Sequence, residues 1–387
     1  MIKIGKRIKQ FYKYGSYRNE LCSYLIGLGT ISNSSFKVLC QDQNELTKQN
    51  IYISRFIKEG LIQRINFEAN GRKYRLFKFN NTSELNENIR TMFSEEEYNY
   101  YQNNIRRTQY FSESRAKYEL LREVRRSETG LLMIASGVRT LPNDFSKEEI
   151  LKGSEKLEED ISCFIFYDEI KKSIGNISEN DVKLNSRAIG ILFTPKKRYT
   201  VYNAGNKRLT YSPQIEWSTE DIGIVADFKY RPAGFKNENK REAILIAEES
   251  TIENMLLDFT SDKQQIYKNM KAGKTDNTYE HMYWIPNSKE GALFLSELLE
   301  DDFKAKIKER LSAGYDKPRN TWLKHHATRG STFVYYFCDS DINDFYDFLM
   351  QYENVKEKID VEIVCYPFQE DLVKRVADSV TVTVIEL

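Results

Sequence analysis

Three carboxylates are the residues whose type and position most readily suggest chemistry. Glu249 follows the apolar run Ala243–Ala247 (AILIA), and Asp339 and Asp341 follow Thr332–Phe337 (TFVYYF). Both runs read as buried strands, and in open α/β sheets sites gather at the carboxyl ends of strands. A Glu and an Asp-x-Asp brought together there would hold Mg²⁺ for phosphodiester chemistry, a nuclease or nicking activity. The same residue types also cap helices and charge their first turns, and each of these three stands where a helix is about to begin. The expectation is therefore a binding protein with no assigned catalytic residue, and the carboxylate trio is the enzymatic alternative. Asp227-x-Lys229 is a further acid–base triplet of a kind common by chance. His281, His325 and His326 are the only histidines and form no His-x-His pair. The chain has no P-loop, no Gly-rich dinucleotide fingerprint and no Cys pair with zinc-ligand spacing, so no cofactor and no metal are expected. Trp322, Lys324 and His325 share a loop and are either binding residues or, as expected, the setting of a buried Trp322 that anchors it.

The elements with the clearer chemical meaning lie nearer the N-terminus, between Tyr17 and Phe79. Arg18–Gly27 has Leu21, Tyr24 and Leu25 at helical spacing, and Ser32–Cys40 offers capping serines before Phe36, Val38 and Leu39. After polar Asp42–Glu45, Thr47–Gly60 reads as a longer helix, with Thr47 as N-cap and Gly60 as its stop. Ile53, Phe56 and Ile57 form its inward stripe. Thr47, Lys48, Gln49, Asn50, Tyr52 and Arg55 remain for the outer side, and such side chains contact phosphates and base edges when a helix lies in the major groove. Leu61–Phe67 and Arg72–Phe79 alternate apolar and polar residues across Asn70-Gly71, a strong hairpin signal. Arg72, Lys73, Arg75 and Lys78 cluster on that hairpin. Helix, short helix, longer helix and basic hairpin together resemble a winged helix-turn-helix, which implies double-stranded DNA as partner. The alternative is a structural adaptor whose head binds protein. Met1–Gly15, alternating bases with apolar residues, is either an arm along the phosphate backbone or a first amphipathic helix.

Charge supports a polyanionic partner. The 387-residue chain has a net charge of +1, yet residues 1–80 carry fifteen bases against five acids, +10, which leaves −9 for the remainder. A basic module joined to an acidic one is an electrostatic footprint for nucleic acid. No apolar run approaches the ~20 residues that span a bilayer, so no membrane association is expected. The five cysteines are odd in number and scattered, which favours reduced thiols in a cytoplasm over a disulfide framework.

Asn80–Asn88 reads as a linker, and Arg90–Val138 as mostly helix. Within it Leu120, Leu121 and Val124 point inward, while Arg115, Lys117, Arg122, Arg125 and Arg126 point outward. Ile189–Phe193 and Tyr199–Asn203 form a hairpin across Pro195-Lys196-Lys197. Strands then alternate with helices: Ala243–Ala247 with Ser250–Phe259, Met282–Ile285 with Lys289–Leu299, Thr332–Phe337 with Ile342–Tyr352, and Val361–Tyr366 with Glu370–Ala377, before a last strand at Val380–Ile385. Near-continuous apolar strands of this kind argue for a mostly parallel sheet covered on both faces. The expected fold is thus α+β/α/β in three parts: a winged-helix domain over 1–80, a helical middle over 81–185 and an α/β domain over 186–387.

On Thr47–Phe79, and on the runs SRAIGILFTPKKRYTVYN and VEIVCYPFQ, the chain resembles the replication-relaxation family. These are winged-helix proteins of plasmids and integrative conjugative elements of Gram-positive bacteria. The resemblance implies DNA binding in replication, mobilisation or control of a mobile element, with the α/β body serving homodimerisation or the recruitment of replication or transfer proteins. It supplies no active site.

Overall fold

The computed structural model describes residues 24–25, 27–40, 42–92, 95–140, 162–174, 188–206, 213–231, 241–257, 279–312, 314–319 and 321–386. The fold is mixed α and β, and the described residues form three sheets, two of which contain parallel pairs. The chain divides into two compact units, Met1–Leu157 with Asn287–Ala292, and Glu158–Pro286 with Leu293–Leu387. The expected arm or helix of Met1–Gly15 lies outside the described residues.

In the first unit, β1 (Ile31–Ser32) runs into a 3₁₀ turn, Asn33–Ser35, capped by Ser32, whose Oγ accepts from Ser35 N at 3.2 Å. α1 (Phe36–Leu39) follows, then α2 (Gln43–Lys58). The N-cap of α2 is Asp42, whose Oδ1 accepts from Glu45 N at 2.8 Å. The polar stretch expected to be a turn is therefore the first helical turn, and Thr47 is not the cap. It stands in the second turn, with Oγ1 donating to Gln43 O at 2.8 Å. Gly60, at φ 70°, ends the helix as expected, because that left-handed conformation burdens any residue with a Cβ. β2 (Ile62–Ala69) and β3 (Arg72–Phe79) then form a hairpin in full register from Ile62↔Phe79 to Ala69↔Arg72. Asn70 and Gly71 both have positive φ, the two-residue turn whose twist matches the strands. β1 pairs with β3, so the sheet order is β1-β3-β2.

Among the described residues of this unit three further helices follow: α3 (Ser83–Met92), α4 (Glu95–Thr108) and α5 (Lys117–Ala135). Ile65, Phe67, Tyr74 and Leu76 of the hairpin close a core with Phe111, Leu120 and Val124. Polar groups fasten the same helix to β1 and the 3₁₀ turn. Ser127 Oγ accepts from Ser32 N at 3.1 Å and lies 3.1 Å from Ser35 Oγ. Arg107 pairs with Glu123 and also donates to Leu28 O at 2.6 Å. The helical middle is thus no domain of its own. Arg125 and Arg126, expected outward, are buried, because α5 is buried continuously from Glu123 to Met133 and leaves no solvent face there.

The second unit begins with β4 (Cys163–Phe166) and α6 (Tyr167–Ile174). β4 pairs antiparallel with β5 (Ala188–Phe193), so the expected boundary at Ser186 would cut through a sheet. The hairpin of β5 with β6 (Arg198–Gly205) forms as expected. After α7 (Pro213–Tyr230) come β7 (Glu242–Ala247), α8 (Glu249–Leu257) and β8 (His281–Ile285). These strands lie in the order β4-β5-β6-β7-β8, antiparallel up to β6 and parallel beyond it. α9 (Lys289–Leu298) and α10 (Phe303–Ser312) lead to a separate sheet. Its elements are β9 (Ala327–Arg329), β10 (Thr332–Tyr336), α11 (Ile342–Tyr352), β11 (Val361–Cys365), α12 (Glu370–Val376) and β12 (Thr381–Val384), with strand order β12-β11-β10-β9.

The single, mostly parallel sheet expected from the strand pattern is therefore two mixed sheets. The reason is the turn after β10. Ser340, at φ 59°, turns the chain onto the free edge of β8. Its carbonyl accepts from Trp284 N at 2.9 Å, and its Oγ donates to Trp284 O at 2.8 Å. The segment caps one sheet and starts the helix of the other, so it adds no strand.

A buried ion network sits beside β6. Arg198 Nε is 2.9 Å from Asp227 Oδ2, Arg231 Nε is 3.0 Å from Asp227 Oδ1, and Arg198 Nη2 is 3.2 Å from Glu220 Oε2. Gly223 on α7 lets the Arg198 guanidinium through, since a Cβ there would collide with it. The triplet Asp227-x-Lys229 thus lies on a helix, and its acid is occupied by two arginines. The four described cysteines are free thiols, three of them buried.

His326 couples the second sheet to pH. Its Nδ1 accepts from Tyr336 N at 2.9 Å, and burial pulls its pKa down from 6.5 to about 4. The folded state therefore holds the neutral ring while the unfolded chain takes a proton, and this stabilisation is lost as pH falls from 6.5 towards 4. Asp339 acts in the opposite sense. Burial and the Asp341 charge push its carboxyl up to about 6, so on acidification the folded state takes that proton first. Chemical denaturation at pH 7 and pH 4.5 separates the two effects. His326→Asn keeps an acceptor for Tyr336 N–H, and the wild-type protein is expected to lose more stability on acidification than this variant.

Candidate nucleic-acid interface

α2 buries one side and exposes the other. Gln49, Ile53 and Phe56 are buried, at ~100° per residue within a narrow arc. Thr47, Lys48, Asn50, Ile51, Ser54, Arg55 and Lys58 are exposed, and Tyr52 is half-buried. Gln49 therefore belongs to the core side and leaves the set of expected contact residues; it sits one helical turn before Ile53, on the same face. Ile51, 47 % exposed, was not among the expected contacts and stands almost opposite the buried arc.

The hairpin separates its charges by pleat. Residues directly opposite in an antiparallel pair share a face, and faces alternate along each strand. Ile65↔Leu76 and Phe67↔Tyr74 therefore define the side covered by α5, and Gln63↔Lys78 and Ala69↔Arg72 belong to it as well. Arg64↔Phe77, Asn66↔Arg75 and Glu68↔Lys73 define the opposite side. At the base of that side Phe77 stacks on Phe36 of α1, with ring centroids 6.1 Å apart. Arg64, Lys73 and Arg75 are exposed, and the backbone N–H of Arg75 is held by Asn33 Oδ1 at 3.0 Å.

Two expected contacts change meaning here. Arg72 is exposed, but at the tip of the α5-facing side. Lys78 is buried, and its Nζ donates to Thr108 O at 2.8 Å and Gln109 O at 3.1 Å, capping the C-terminus of α4. Burial lowers its pKa from the ordinary lysine value. Arg64, not among the expected contacts, is exposed on the same side as Lys73 and Arg75, as its alternation with Ile65 and Phe67 implies. Among the described residues, Lys48, Arg55 and Lys58 on α2 and Arg64, Lys73 and Arg75 on the hairpin enter no ion pair. Unneutralised cations at these positions are free to meet an external anion.

The carboxylates do not converge. Glu249, in the first turn of α8, pairs with Arg375, which also holds Glu253 at 2.8 Å. Asp341 is the N-cap of α11. Its Oδ1 accepts from Met282 N at 3.2 Å and Asn343 N at 3.1 Å, and its Oδ2 lies 2.5 Å from His281 Nδ1. Asp339 Oδ1 accepts from Asp341 N at 3.2 Å, and its Oδ2 lies 3.5 Å from Lys304 Nζ. Each carboxylate is thus engaged as a cap or in an ion pair. Among the described residues no group of three or more His, Cys, Asp or Glu is arranged to hold a metal ion.

The loop expected to be anchored by a buried tryptophan is anchored differently. Trp322 is 62 % exposed, whereas Lys324 pairs with Asp344, and the rings of His325 and Phe333 meet edge to face at 4.9 Å. Polar anchoring replaces the apolar anchor.

No helix among the described residues is long and apolar enough to cross a membrane. Comparison with protein-family models, with curated proteins and with solved structures finds no match to this chain.

Lys78 serves as a test of the division by face. Lys78→Met keeps the stem and removes the donor from two carbonyls, and is expected to lower stability by about 1–3 kcal/mol in chemical denaturation. Because the ammonium is committed inward, the same variant should retain wild-type affinity for any polyanion. A loss of affinity without a loss of stability would contradict the assignment.

Proposed function

We propose that the first unit is a winged-helix module that binds double-stranded DNA. In this reading α2 enters the major groove, and the β2–β3 hairpin is the wing that lies along the phosphate backbone. The observation that carries it is the set of exposed cations without ion pairs, Lys48, Arg55, Lys58, Arg64, Lys73 and Arg75, on two elements whose other faces are buried. The order of elements supports the same reading. A helical turn at 27–28 is followed by β1, α1, α2 and a hairpin in a sheet of order β1-β3-β2, the arrangement a winged helix requires. The resemblance on Thr47–Phe79 adds the setting: replication, transfer or control of a plasmid or other mobile element, with the second unit serving pairing of copies or recruitment of a partner. A Mg²⁺-dependent nicking activity is not favoured, since its three carboxylates are separately engaged.

The test uses full-length protein and a duplex selected from a random pool. Arg55→Ala is expected to weaken the selected site by about 1–3 kcal/mol while leaving random duplex little changed. Lys73→Ala is expected to weaken both alike and to reduce the salt slope of binding by about one. Equal losses on selected and random DNA for Arg55→Ala would contradict the role assigned to α2.

A further inference from the structure

The centre of the outer face of α2 is apolar. At ~100° per residue Ile51 lies about 170° from the mean direction of Gln49, Ile53 and Phe56. It is flanked one turn away on each side by Thr47 and Arg55, and it is 47 % exposed. The hydroxyls nearest to it are turned back onto the helix: Thr47 Oγ1 donates to Gln43 O and Ser54 Oγ to Asn50 O, both at 2.8 Å. The cations Lys48, Arg55 and Lys58 stand around this spot. A face built to meet only phosphates has no use for an isoleucine at its middle. A face built to meet a protein would not surround that isoleucine with unneutralised lysines and arginines.

Resting on the reading of α2 as a groove-entering helix, we propose that Ile51 is a specificity-determining residue whose ligand is the 5-methyl group of thymine. The major groove displays hydrogen-bond donors and acceptors on every base pair, and the thymine methyl is the apolar group it offers. An isoleucine pressed against polar base edges would strip them of water and return no hydrogen bond. Against a methyl, both partners lose apolar surface to water. The preferred duplex therefore carries thymine at the position facing Ile51. Asn50 and Arg55 are left for hydrogen bonds to neighbouring bases or phosphates.

Replacing thymine by deoxyuridine removes this methyl alone and leaves base pairing intact. In the preferred duplex, taken from the selection, each thymine is replaced in turn, and the affinities of wild-type protein and Ile51→Ala are measured. Wild type is expected to lose about fourfold in affinity at one or two positions, the worth of one buried methyl group. Ile51→Ala is expected to bind the thymine and deoxyuridine duplexes equally at those same positions. Because Ile51 is exposed, its melting temperature should match that of wild type. Salt-sensitive duplex binding that ignores every deoxyuridine would overturn the assignment of Ile51 and leave the DNA-binding reading standing. A wild-type protein that binds no duplex would overturn both.

Discussion

The alternation of side chains across one hairpin is the constraint on which the candidate interface depends. α5 covers the side that carries Ile65, Phe67, Tyr74 and Leu76, and this packing decides where every other residue of β2 and β3 must point. Arg64, Lys73 and Arg75 fall on the far side, whose base is occupied by α1 through the Phe36–Phe77 stack. A slip of one residue in the register would reverse the arrangement, sending the cations into the core and the aromatics into water. The Asn70-Gly71 turn prevents the slip by fixing Ala69 opposite Arg72.

α5 acts as a common support because it binds by two kinds of contact. Its apolar residues Leu120 and Val124 hold the hairpin, while Ser127 and Glu123 hold β1, the 3₁₀ turn and Arg107. Polar groups buried in this way lock orientation, since each requires its partner in place. The second unit uses the same device at the Ser340–Asp341 turn, where backbone and side chain together fasten β8 to the start of α11. That structural duty engages both oxygens of Asp341. A carboxylate that already accepts two backbone N–H groups and lies against a histidine is a cap, whatever its spacing from the next acid suggests.

Much of the fold could be read from the chain because the signals were local. The hairpin announced itself through Asn70-Gly71, the stop of α2 through Gly60, and β7, β8, β10 and β11 through unbroken apolar runs. Readings that depended on which side of an element was covered fared worse. Lys78 counted towards a basic hairpin, yet shares a face with Tyr74 and Leu76, and nothing in a charge tally distinguishes it from Lys73. Arg125 and Arg126 follow a helical pattern that leaves them outside, but the polar partners that make their helix a buried one come from distant segments. The union of strands into one sheet failed for the same reason: the docking of Ser340 on Trp284 spans fifty-six positions and leaves no local mark. Conversely, the capping role of Asp341 was legible, because an Asp before an apolar helical stripe is a cap signal by itself. Asp339, read the same way, caps no helix and instead holds Asp341 N and pairs with Lys304.

The most direct measurement is the affinity of the full-length protein for duplex DNA as a function of salt concentration. If the outer face of α2 and the far side of the hairpin meet phosphates, the logarithm of affinity should fall linearly with the logarithm of salt. The slope should lie between about −3 and −6, one counterion released for each contact made by the six exposed cations. An affinity that is absent, or that is indifferent to salt, would contradict the account, because these cations would then serve something other than nucleic acid.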